Sequence, residues 1–208
     1  MNYRVGLLLL LGLPGWAFAS SCTLLIVGDS LSSGYGLATG TSWVAKLDAR
    51  LKKSAPDWRV VNASVSGDTT QNGVQRLQPA LERQHPQGVL IELGGNDALR
   101  GIPPAEIKRN LQTMIRQAKA AGAWVVLFDV PVLPNYGKPY ADAVTRVYGQ
   151  LAREEKVTRV PCFVCGVGVT PSLMQADAIH PNELAQMQML DVVWPHLQPK
   201  LRCPVKKP

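Results

Sequence analysis

Histidine is scarce in this chain, with three residues in 208. Chemistry that needs an imidazole therefore has few places to find one. No His/Cys group has the spacing of metal ligands and no cofactor motif is present, so neither a metal nor a cofactor is expected. Internal repeats, low-complexity tracts and linkers are also missing, which excludes repeat arrays and disordered chains. Long apolar runs are lacking. The one candidate, Val5 to Leu13, is shorter than the ~20 residues a bilayer span needs and is broken by Pro14. Nucleic-acid motifs are absent. The formal charge is +7, but Arg50, Lys52, Lys53, Lys119, Lys206 and Lys207 are scattered and not interleaved with aromatics. A solvated basic surface is expected, with at most peripheral contact with anionic lipid headgroups and no nucleic-acid partner.

What remains is ordinary globular material, 46% hydrophobic and 18% charged. Arg4, the apolar stretch behind it and the small-x-small site Ala17-Phe18-Ala19 form the three parts of a secretory signal peptide over residues 1–19. Residues 20–208 then make one domain with a sizeable core, expected to be exported and monomeric. In an oxidising compartment the four cysteines suggest disulfides, with three connectivities open. The pair in "PCFVCG", Cys162 and Cys165, lacks the strand–WCxxC–helix setting of thioredoxin-like sites, which favours a small structural disulfide over a redox pair.

Along the domain, apolar β-rich runs alternate with amphipathic helical patterns. The runs are Thr23 to Val27, Trp58 to Val65, Val89 to Leu93, Trp124 to Val130 and, weakly, Val157 to Val160. The helical patterns are Ser42 to Lys53, Thr70 to Gln84, Pro104 to Ala121, Tyr140 to Glu155 and Asn182 to Leu197. Continuous apolar strands between such helices predict a mostly parallel, five-stranded, doubly wound sheet in a three-layer α/β/α sandwich. Reactive loops in such a sheet leave the C-terminal ends of the strands.

That rule selects four polar clusters: "GDSLSSG" from Gly28, "NASVSGDTT" from Asn62, "ELGGNDALRG" from Glu92 and "MQADAIHPNE" from Met174. Of the three histidines only His180 falls on this edge, since His85 precedes a strand and His196 lies near the end of the last helix. Asp177, three residues before His180, can hold the imidazole tautomer that leaves Nε2 as a base. Capping of a helix beginning near Pro181 is an equal explanation of that aspartate. Ser30 follows the first strand by two residues and is the best-placed nucleophile, while Ser32 and Ser33 suit turn bracing. Acyl transfer also needs oxyanion donors, worth about 3 kcal/mol each. The backbone N–H groups of Ser30 and Gly67 and the side-chain amide of Asn96 are the candidates.

With Gly28-Asp29-Ser30-Leu31, Gly67-Asp68-Thr69, Gly94-Gly95-Asn96-Asp97 and Asp177-Ala178-Ile179-His180 in order, the chain resembles the SGNH hydrolases of the GDSL type. The exported branch of thioesterases, lysophospholipases and arylesterases is the nearest likeness. The resemblance implies a flavodoxin-like SGNH fold and hydrolysis of fatty-acyl esters and thioesters through an acyl-enzyme. It implies Ser30, His180 and Asp177 as catalytic residues, with Ser30, Gly67 and Asn96 as the oxyanion hole. Relatives often have glycine at Ala178 and Ala98, and alanine is tolerable at both if φ is negative.

Two rival functions are a metal-assisted phosphoesterase, drawing on Asp29, Asp68, Asp97 and Asp177, and a non-catalytic lipid-binding module. Leu99, Ile102, Val132, Leu133 and Tyr136 leave the reactive edge and are expected to wall a pocket for the alkyl part of an acyl ester, thioester or lysophospholipid. Cys22 begins the first strand at the opposite edge, and the last helix runs back toward it. The predicted pairs are therefore Cys22–Cys203 and Cys162–Cys165.

Overall fold

The computed structural model describes residues 22–132 and 136–203. The leader expected over 1–19, Leu133, Lys206 and Lys207 lie outside the described residues. Strand β1 (Cys22–Gly28) is buried at every position, as a strand covered by helices on both faces must be. It pairs in parallel with β2 (Trp58–Asn62) on one side and β3 (Gly88–Glu92) on the other. Beyond β3 come β4 (Trp124–Phe128) and β5 (Thr158–Val160), also parallel, giving the order β2-β1-β3-β4-β5. The expected mostly parallel sheet is parallel at every pairing between the described strands.

Alternation along the strands sorts the core into two layers. Leu25, Val27, Val89 and Ile91 face one layer. It is filled by α3 (Thr70–Gln84), α5 (Pro104–Ala120) and α6 (Lys138–Glu154), with Leu77, Leu111, Ile115 and Tyr148 fully buried. Leu24, Ile26, Leu90 and Phe128 face the other layer, against α2 (Trp43–Ser54) and α8 (Gln186–Leu197). The sandwich thus has helices on both faces, and among the described residues no helix is long and apolar enough to cross a membrane.

Several boundaries differ from expectation for local reasons. The second strand ends at Asn62 rather than Val65, because the Asn62 amide donates to the Ser32 carbonyl and its Oδ1 accepts from the Ser64 N–H. The last helix opens as a 3-10 turn, Glu183–Ala185, whose N-terminus the Asn182 side chain caps through the Leu184 N–H. Helix α3 occupies the expected span, started by a reciprocal Thr69/Asn72 cap. Cys22 is bonded to Cys203, tying the start of β1 to the segment after α8, and Cys162 to Cys165.

Candidate active site

Three short elements occupy the C-terminal edge of the sheet: α1 (Ser30–Ser33) after β1, α4 (Gly95–Leu99) after β3 and α7 (Cys165–Gly168) after β5. Ser30 opens α1, whose N-terminus is capped by Asp29 through the Leu31 N–H and whose C-terminus turns at Gly34 with φ +83°. The His180 Nε2 lies 2.8 Å from Ser30 Oγ, although 150 residues separate them in sequence. On the other side of the ring, His180 Nδ1 is 2.7 Å from Asp177 Oδ2. The other carboxylate oxygen accepts the Ile179 and His180 backbone N–H groups at 2.9 and 3.0 Å. Asp177 therefore closes a turn onto its own histidine, while Asn182 performs the helix capping. These bonds, with the His180 N–H foremost, then its side chain and the Ile179 N–H, hold the Asp177 carboxyl down at about 2. The Tyr35 ring packs 4.7 Å from the imidazole, a contact with no sequence signal.

Within this turn Ala178 has φ +54°. The condition set for an alanine here, a negative φ, is not met: the turn needs the left-handed region, where an L side chain carries a penalty and glycine does not. Ala98, by contrast, lies in α4 without a positive φ.

The three proposed oxyanion donors face the same corner in different states. The N–H groups of Ser30 and Gly67 make no hydrogen bond within the described residues, whereas their neighbours Leu31 and Asp68 do. Gly67 has φ +83°, which turns the backbone there. Asn96 Nδ2 donates to Asp29 Oδ2 and to the Asp68 carbonyl, each at 3.0 Å. Its two protons are thus engaged, and an arriving oxyanion has to share or replace one of those acceptors.

Beneath α1 lies a pair of buried carboxyls. Glu92, the last residue of β3, is fully buried, and its Oε2 accepts the Ser32 hydroxyl at 2.7 Å and the Asp29 N–H at 3.4 Å. Burial first, and the Asp29 charge second, push its carboxyl well above the usual range. Asp29 is pushed up to about 6, chiefly by burial. Sequence reasoning assigned Glu92 no role. Its signal was a lone glutamate ending an otherwise apolar strand, where an acid must be neutralised or paired. Ser32 is accordingly a support for β3, and Ser33 bonds the Ser66 hydroxyl at 2.8 Å.

The remaining carboxylates of this edge have separate partners. Asp68 pairs with Arg76, and buried Asp97 accepts the Thr70 N–H and hydroxyl at 2.8 and 2.6 Å. No group of three or more His, Cys, Asp or Glu side chains is placed to hold a metal ion among the described residues.

Ser30, Gly67, Asn96 and His180 border a cavity of about 560 Å³ with a largely apolar lining. Leu99 and Val132 line it, as expected, and are joined by Pro131, Val164, Val169 and Ile179. Ile102 instead packs on the core beside α5, and Tyr136 lies over Gly101 and against Tyr140, so neither contributes to this lining. Tyr140 draws Ile102 inward by donating to its carbonyl at 2.7 Å. From the segment between Cys162 and Val169, by contrast, Val164, Cys165, Gly168 and Val169 line the cavity.

Known proteins resemble this chain in sequence and fold. The GDSL-like lipase/acylhydrolase family matches residues 26–187. Esterase TesA of Pseudomonas aeruginosa is 50% identical over 183 residues, covering 88% of this chain and 91% of the relative. The thioesterase 1/protease 1/lysophospholipase L1 of Escherichia coli is 43% identical over 182 residues, covering 87% and 86%. Among solved structures, the psychrotrophic esterase EstA from Pseudoalteromonas sp., inhibited by monoethylphosphonate, is 35% identical with a TM-score of 0.83. That superposition covers 86% of this chain and 98% of the esterase.

Proposed function

The chain belongs to the GDSL-like lipase/acylhydrolase family, and from that premise we propose that it hydrolyses fatty-acyl esters and thioesters through an acyl-enzyme on Ser30. The observation that carries this reading is the Ser30–His180–Asp177 chain, with links of 2.8 and 2.7 Å, at the border of an apolar cavity. Asp177 holds the Nδ1–H, so Nε2 accepts the Ser30 proton while Oγ attacks the acyl carbonyl. The oxyanion that forms is met by the Ser30 and Gly67 N–H groups and by Asn96. His180 then returns the proton to the departing alkoxide or thiolate, and water repeats both steps to release the acid.

The family relatives support the substrate class, since they are named esterase and thioesterase/lysophospholipase. The phosphonate that inhibits the Pseudoalteromonas esterase is tetrahedral at phosphorus, as the intermediate is at carbon. The two disulfides support the exported setting that residues 1–19 lead one to expect.

The test is Ser30→Ala assayed on p-nitrophenyl butyrate and on an acyl-CoA, beside phosphonate labelling of the parent. Loss of about a thousandfold or more in kcat, with the label on the Ser30 peptide, is expected. Turnover near the parent rate would overturn the assignment.

A further inference from the structure

The chemistry above does not use the Cys162–Cys165 disulfide. It is placed where the acyl chain must go. Val164, Cys165, Gly168 and Val169 all line the cavity. The cavity's other apolar side comes from Leu99 in α4 and from Pro131 and Val132 just past β4. Those residues follow well-paired central strands. The disulfide-bearing wall instead hangs from β5, a three-residue edge strand paired only with β4.

Little else holds that wall. Its α7 is a single turn without a side-chain cap and contains Gly166 and Gly168, with open space around both. Phe163 anchors its root, buried against Trp43 and Phe128 at 5.5 and 5.3 Å between ring centroids, and Val167 is buried. Of the residues facing the cavity, Val164 shares that anchor, whereas Cys165, Gly168 and Val169 are exposed, Val169 at 81%. A bond across a three-residue separation removes little entropy from the unfolded chain, unlike Cys22–Cys203 with its separation of 181. Its consequence is local: it fixes the path of the backbone that carries Val164 and Cys165.

We propose that the Cys162–Cys165 disulfide is a specificity-determining brace, holding the cavity wall so that long alkyl chains bind better than short ones. The inference rests on the esterase reading of Ser30. An acetyl group ends near the oxyanion corner and needs no wall, whereas a decanoyl chain gains its binding by burying methylenes against one. Opening the disulfide loosens that surface and lowers the return for every added carbon.

The experiment measures kcat and KM for p-nitrophenyl decanoate and p-nitrophenyl acetate with the parent and with the Cys162→Ser/Cys165→Ser variant. The decanoate-to-acetate ratio of kcat/KM is expected to fall about tenfold, mostly through KM, comparable to losing one or two methylene contacts. A ratio that changes less than about threefold, including the case where both substrates slow in parallel, overturns the proposal. Should the variant fail to fold, the parent provides the same comparison. Cys165 is exposed and Cys22 buried, so mild dithiothreitol reaches the short disulfide first, as alkylation and peptide mass would verify. If the parent hydrolyses neither ester, it is the esterase reading that fails.

Discussion

Ala178 offers a perturbation with a sign that the backbone alone dictates. Its φ of +54° places it in the left-handed region, between the aspartate and the histidine of the Asp177–His180 turn. An L residue there carries about 1–2 kcal/mol relative to its preferred backbone. Ala178→Gly removes that cost but enlarges the freedom of the unfolded chain, which returns about 0.4–1 kcal/mol. The net expectation is a gain of about 0.5–1 kcal/mol, since the turn is otherwise held by the Ala178 N–H on the Gln175 carbonyl at 3.0 Å and the Gln175 N–H on the His180 carbonyl at 2.8 Å. For a chain of this size that gain raises the midpoint of thermal unfolding by about 1–4 °C. Ala178→Val has the opposite sign, because a β-branched residue at this φ is a backbone outlier. Its melting point falls, and kcat on p-nitrophenyl butyrate falls with it, as the displaced turn carries His180 away from Ser30. Circular-dichroism melts and steady-state kinetics on the three proteins decide the matter. A glycine variant that melts lower than the parent, or a valine variant that melts higher, would refute the argument.

Three other expectations come from the same edge and its braces. Burial raises the Glu92 carboxyl on folding, so above the usual carboxylate range folding favours proton uptake and parent stability declines as pH rises. Glu92→Gln removes that slope, and urea titrations at pH 4.5 and pH 7 should show the variant gaining on the parent at the higher pH; an unchanged gap would mean Glu92 is ionised in the fold. Asp177→Asn should lower kcat by about 10²–10⁴ with little change in KM, because the Nδ1–H loses its carboxylate acceptor. Since hydrogen bonds hold the Asp177 carboxyl down at about 2, its protonation should add no step to the parent's pH–rate profile in mildly acidic solution. Replacing Cys22 and Cys203 with serine should cost about 4 kcal/mol of stability, read by denaturant unfolding, because the bond closes a loop over nearly the whole domain. A loss below about 1 kcal/mol would show that the unfolded chain is not constrained by it.

The strands and helices were readable because each carries its own periodicity. "CTLLIVG" is apolar throughout and can only be a covered strand, and Thr69 to Gln84 contains both a cap and a helical stripe. The convergence of Ser30, Gly67, Asn96 and His180 was readable as well, because parallel strands deliver all their exits to one edge. Glu92 escaped notice: its identity was plain, but its partners, Asp29 and Ser32, come from the neighbouring strand exit. Ile102 and Tyr136 were expected at the cavity because they leave the correct edge. Leaving an edge does not say which way a side chain turns, and Ile102 packs against the core beside Tyr140, whose hydroxyl donates to its carbonyl.

By itself the sequence determined the sandwich, the edge on which the four polar clusters meet and the candidate serine, since composition and period follow the chain residue by residue. Only the tertiary structure decided the sign of φ at Ala178, the engagement of both Asn96 protons, the burial that raises the Glu92 carboxyl and the cavity wall that includes Val164, Cys165 and Val169. Each of these depends on what a neighbouring element brings within a few ångströms. Burial, backbone sign and hydrogen-bond competition are properties of that encounter, and no residue carries them alone.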